Sequence, residues 1–207
     1  VTVATSQIGT RAVDATGTNL AFLASDSLVV DEATLTSATL GNGTGGTLDL
    51  AAGANLSIAS STLASGSLGE AGGDGGAIRL NSLGTMDLTF ANVAAFSEGG
   101  GNGGDISIIA SGDMGITSSN LFSQSLSTGS GGNGGDISLF SAAALTLSAP
   151  TLAADTSGDG AGGEIYALSA GSLLAQGTTF TSNTLGETAI GRGGLVSIGA
   201  GADVTLD

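Results

Sequence analysis

The chain contains no cysteine, no histidine and no tryptophan. Lysine is absent too, and the only basic residues are Arg11, Arg79 and Arg192. Without His or Cys there is no Ser-His-Asp triad, thiol nucleophile, structural zinc site or haem ligation. Without Lys there is no phosphate-gripping Walker lysine and no Schiff base. Three arginines against 18 acidic residues leave a net charge of −15. That balance excludes a nucleic-acid surface, which needs clustered positive charge. An anionic membrane would repel the chain for the same reason. No apolar run approaches the roughly 18 residues that span a bilayer. No basic segment followed by an apolar one opens the given sequence, so it does not read as a signal peptide. Proline occurs once and aromatics make up 3% of residues, so any core must be aliphatic.

What remains is distinctive. Glycine fills 38 of the 207 positions. Disordered chains are apolar-poor, but 41% of this one is apolar and its mean hydropathy is +0.38. A Gly-rich, aliphatic chain with abundant Ser and Thr predicts many short strands joined by tight turns. Its length suffices for one sizeable core or two small ones.

The chain is a repeat. A Gly-Gly pair followed by alternating apolar residues begins at Gly45, Gly75, Gly103, Gly134, Gly162 and Gly193, a mean spacing of about 30 residues. The first apolar residue of each unit is Leu20, Leu48, Ile78, Ile106, Ile137, Ile165 or Val196. Positions 2, 8 and 10 residues after each of these anchors are also apolar, as is position 15 after the first six, for example Ile108, Met114, Ile116 and Leu121 after Ile106. The spacing 0, 2 and then 8, 10 is the alternation of strands. No stretch carries a helical stripe. A unit with three short strands cannot bury its inner face alone, but stacked units can.

The pattern predicts an all-β fold, a right-handed parallel β-helix of triangular section with about 30 residues per turn. At roughly 4.8 Å per turn, about seven turns make a rod about 35 Å long. Residues 1–207 read as one such solenoid, expected to be a fragment of a longer one. All variation in unit length falls between the third strand and the next Gly-Gly pair, as in Ser127–Asn133. Glycine at this corner is expected to supply positive φ.

Acidic residues are the first candidates for chemistry. Asp105, Asp136 and Glu164 share one outward column before the first strand, with Asp74, Asn102 and Asn133 in the preceding corner and Glu70, Glu98 and Asp159 nearby. Carboxylates stacked at about 5 Å repel unless screened or bridged by a cation, and oxygen-only ligands suit Ca²⁺. Asp105, Asp136, Glu164 and Asp74 are therefore the candidate calcium ligands, although no cofactor is required. Gly131–Asp136 resembles the start of the calcium-binding RTX nonapeptide, but the period is about 30 rather than nine. The alternative is a solvated acidic edge that keeps a rod soluble. Paired carboxylates on a β-helix also suit a polysaccharide hydrolase or lyase. Against this, only Arg79 sits among the acids and no unit breaks the pattern to build a cleft, so no catalytic residue is assigned. A column 14 residues after each anchor, Thr34, Thr62, Asn92, Asn120, Thr151 and Thr179, reads as a side-chain ladder rather than an ice-binding face. Phe140 and Tyr166 fall off the inner columns and could stack on sugar.

Ser127–Thr184 in particular, and most of the chain from about Asn19 onward, resembles the central repeats of filamentous-haemagglutinin-type exoproteins. These are large secreted β-helical proteins of Gram-negative bacteria and cyanobacteria, exported by two-partner secretion. Their secretion domain with its Asn-Pro motifs has no counterpart here, since the one proline, Pro150, follows Ala149. The resemblance implies a structural and adhesive rod at the cell surface or in the extracellular space. It implies contact with a host-cell, matrix or polysaccharide surface. End-to-end self-association is expected separately, because neither end of the given sequence carries the polar cap a solenoid needs. The charge and hydropathy leave no expectation of nucleic-acid binding or membrane insertion.

Overall fold

A computed structural model describes residues 1–69, 72–128, 131–186 and 191–207. Glu70, Gly129 and Ser130, named above, lie outside the described residues. The fold is a β-solenoid of three parallel sheets, with no helix among the described residues. One central turn runs Ile106–Ala110, Met114–Thr117 and Asn120–Ser125. These strands belong to a first, a second and a third sheet of seven, eight and seven strands. Turns pair residue for residue: Ile78 with Ile106, Ile106 with Ile137, and Ile137 with Ile165. Steps between turns are 27 residues (Thr2 to Val29), 28 (Asp74 to Asn102), 30 (Asn55 to Thr85) or 31 (Asn102 to Asn133).

The five apolar columns form the core. Leu48, Leu56, Ile58, Leu63 and Leu50 are fully buried in one turn, and Ile137, Leu145, Leu147 and Leu152 in another. Each buried aliphatic side chain contributes roughly 1.5–3 kcal/mol of hydrophobic stabilisation before entropy is counted. Identical columns on parallel strands stack like on like.

The two kinds of corner differ from expectation. Positive φ does occur in the Gly-rich corner, at Asp14, Gly41 and Gly72, but not in the Gly-Gly pairs that open the units. It recurs in the bend between the second and third strands, at Thr5, Glu32, Ser60, Phe90, Ser118, Ala149 and Gly177, with φ between 43° and 56°. All but one of these carry a side chain. The bend is held because the ladder continues through it: Ser118 N donates to Ser148 O at 2.8 Å and Ala149 N to Gln176 O at 2.7 Å. The Gly-Gly pairs are glycine for a different reason, close approach of backbones. A Cβ on Gly76 would lie 1.9 Å from Gly46 O, and one on Gly104 2.1 Å from Gly76 O. No side chain fits between these turns.

Pro150, buried in the bend, is tolerated on similar grounds. At the equivalent positions Ala33 N and Ala91 N donate to the side chains Ser61 Oγ and Ser119 Oγ, both at 3.0 Å. A proline there forfeits no backbone ladder bond.

Candidate functional site

The acidic corner is built by the short segment between each Gly-rich bend and the first sheet. Asp74, Asn102 and Asn133 stack on successive turns. Asp74 Oδ1 accepts from Asn102 N at 2.8 Å, Asn102 Oδ1 from Asn133 N at 2.9 Å, and Asn133 Oδ1 from Ala161 N at 2.8 Å. The column beside it repeats the device. Asp105 Oδ1 accepts from Asp136 N at 3.0 Å, and Asp136 Oδ1 from Glu164 N at 2.8 Å. The same residues accept on their other side through the main chain: Ile78 N donates to Asp105 O at 2.9 Å, and Ile106 N to Asp136 O at 2.8 Å. Each Asp or Asn thus joins three turns, with its carbonyl facing one neighbour and its Oδ1 the other. Asn supports the geometry as well as Asp, so the bond needs an acceptor oxygen and not a charge.

Asp74, Asn102 and Asp105 come together around a shallow concavity of 360 Å³ floored by Gly75, Gly103 and Gly104. Asp136 and Glu164 belong to the turns beyond it. Glu98 is exposed and Asp159 is half-buried. Among the described residues no three acidic side chains are grouped to hold a metal ion. The acids stand in columns, with one oxygen each of Asp74, Asp105 and Asp136 already engaged.

Tyr166 lies two residues beyond Glu164 on the outer face of the first sheet, and its phenol donates to Glu164 Oε2. That bond raises the Tyr166 pKa above its ordinary 10.0, with desolvation and the charges of Glu164 and Asp136 acting in the same direction. Arg79 is on the same face, in register with Asp49 and Ser107. Thr62, Asn92, Asn120 and Thr151 are in register on the outside of the third sheet. Asn92 Oδ1 is buried there without a hydrogen-bond partner.

Two functional columns escaped the sequence reading. The third strand continues its inward alternation beyond the apolar position with hydroxyls. Ser37 Oγ donates to Thr18 O and Ser123 Oγ to Gly104 O, both at 2.6 Å, and Ser65 and Ser182 make the equivalent bonds. Two residues further, Ser67, Ser97, Ser125, Thr156 and Thr184 donate to Gly43, Gly73, Gly101, Gly132 and Gly160 carbonyls at 2.8–3.0 Å. Satisfying these carbonyls lets the glycine backbone turn inward against the core. Ser or Thr at position 19 of every complete unit was the available signal.

No family model, curated protein or solved structure matches the chain.

Proposed function

We propose that the chain is a rod segment of a secreted or cell-surface bacterial exoprotein, with a structural and adhesive role. The observation that carries this reading is continuity: each of the three sheets passes through every turn in unbroken parallel register. Chemistry is usually built where regularity fails, while a spacer needs only regularity. The charge of −15 on a lysine-free chain suits a rod that must stay solvated among copies of itself. The resemblance of its repeats to filamentous-haemagglutinin-type exoproteins supports the same role, with end-to-end stacking and a polysaccharide or matrix surface as partners. The acidic columns serve as inter-turn acceptors under this reading.

The test measures adhesion and turnover together. Beads coated with the chain are held against neutral polysaccharide and matrix surfaces, and sugar released from neutral and acidic polysaccharides is assayed alongside. Retention without sugar release is expected. Deleting residues 78–105, one turn, should shorten the rod by about 4.8 Å and leave retention in place. Polysaccharide turnover that disappears in Asp105→Ala and Asp136→Ala would overturn the proposal in favour of an enzyme.

A further inference from the structure

The outer face of the first sheet presents one column whose residues vary strongly in size from turn to turn. In register along the rod stand Leu23, Ala51, Asn81, Ile109, Phe140, Leu168 and, in the last turn, Gly199, with the first six forming the face considered below. Large apolar side chains here are open to solvent: Leu23 is 72% exposed, Phe140 43%, and Ile109 and Leu168 39% each. Ile109, Phe140 and Leu168 occupy consecutive turns and form a ridge with Phe140 at its centre. At the other half of the rod the same face is hollow. Leu23 and Leu83 stand on either side of the small residues Ala51 and Gly53, bounding an apolar notch of 360 Å³. A soluble monomer seldom keeps such a pair of features uncovered.

The ridge and the notch are related by symmetry. Consider a second copy facing the first and turned end over end about an axis parallel to the strands, centred between Asn81 and Ile109. Phe140 of one copy then lies over Ala51 of the other, and Leu168 over Leu23. In the neighbouring column Tyr166 meets Ala21, large against small again. Arg79 meets Ser107, with Asp105 of the second copy two residues away. Every such contact occurs twice, as an isologous interface requires.

We propose that this face binds a second copy of the chain as an antiparallel, side-by-side dimer, with Phe140 of each copy seated in the Ala51–Gly53 notch of the other. The facing area, six turns by about five residues of strand, comes to about 500 Å² per copy or about 1,000 Å² in all. That is the threshold size for a specific interface, so the dimer is weak. Two Arg79–Asp105 pairs favour it, and the net charge of −15 on each copy opposes it. Added salt screens the long-range repulsion more than the packed contact and therefore strengthens association. The proposal is independent of the adhesive role.

Sedimentation velocity of the purified chain, over a wide concentration range and at low and high sodium chloride, tests it. A monomer–dimer equilibrium that tightens with salt is expected. Ala51→Phe fills the notch and Phe140→Ala removes the knob, so each should weaken association at least about tenfold. The double variant exchanges knob and notch and should recover association to within about threefold of wild type. Both positions are on the outer face, and unchanged melting by circular dichroism verifies that the variants fold. A monomer under all conditions would overturn the proposal. So would a dimer indifferent to Ala51→Phe, or a double variant no better than either single one. Stacking through the rod ends would instead give an open-ended series of oligomers insensitive to both substitutions.

Discussion

Replacing Gly104 by alanine tests whether backbone contact between turns is what demands glycine. The new Cβ would lie 2.1 Å from Gly76 O, 2.7 Å from Gly76 C and 2.8 Å from Gly75 C. Carbon prefers about 3.5 Å or more to its neighbours, so the turns must part by about 1 Å. Neither side can yield by rotating a side chain. The bonds nearest the wedge are Gly103 N to Asn133 O and Gly75 N to Asn102 O, both 2.8 Å, and Ser123 Oγ to Gly104 O. Stretching two of them in a buried setting costs about 3–5 kcal/mol. In a chain of this length that lowers the melting midpoint by roughly 10 °C. Gly100 supplies the control. It is four residues away in the same corner, a Cβ there meets nothing within 4 Å, and its φ is not positive. Gly100→Ala should stabilise by about 0.4–1 kcal/mol through the unfolded state alone. Thermal melts followed by circular dichroism read both. If Gly104→Ala melts within about 2 °C of wild type, or if the two variants shift in the same direction by similar amounts, close approach is not the reason for the glycine pairs.

Three further predictions follow from the ladders. Ser97→Ala strands the carbonyl of Gly73 and should cost about 1–3 kcal/mol, whereas Ser97→Thr should be tolerated because Thr39, Thr156 and Thr184 hold the same column; urea titration distinguishes them. Asp136→Asn keeps an acceptor for Glu164 N and should melt close to wild type, while Asp136→Ala should lose about 1 kcal/mol; equal losses in the two variants would show that charge matters more than the acceptor. Tyr166 is the one tyrosine, so phenolate absorbance reports it alone. Its midpoint should lie above 10.0 and fall toward that value in Glu164→Gln. Since the folded value is the raised one, the associated stability is complete below pH 10.0 and declines as pH climbs through the folded midpoint. A midpoint unmoved by Glu164→Gln would exclude the hydrogen bond as the cause.

The architecture was legible because burial on a solenoid repeats. Ile78, Ile106, Ile137 and Ile165 share one environment, so one residue class recurs at one spacing. The polar half of the interior was harder to read. Ser97 and Ser125 look like surface residues until their partners, the Gly73 and Gly101 carbonyls 24 residues earlier, are known. Glycine misled in a related way. Positive φ accounts for Gly41 and Gly72 in the Gly-rich corner, yet the Gly-Gly pairs answer to the neighbouring turn, which no local pattern reveals. The positive-φ bend, meanwhile, tolerates Thr5, Glu32, Ser60 and even Phe90, and so has no compositional mark. At the acidic corner the column of Asp105, Asp136 and Glu164 was visible. Its hydrogen bonds to the next turn were not, because a carboxylate that accepts a neighbouring turn's N–H has no mark of its own in sequence.

Nearly all the bonds described above, from hydroxyls, amides and carboxylates alike, run from one turn to the next. Along the axis the turns are therefore links in series. A pull on the two ends loads every junction equally, and the weakest one sets the strength of the whole. Adding turns would lengthen such a rod without strengthening it. Damage would begin at one junction and travel outward, as a zip opens.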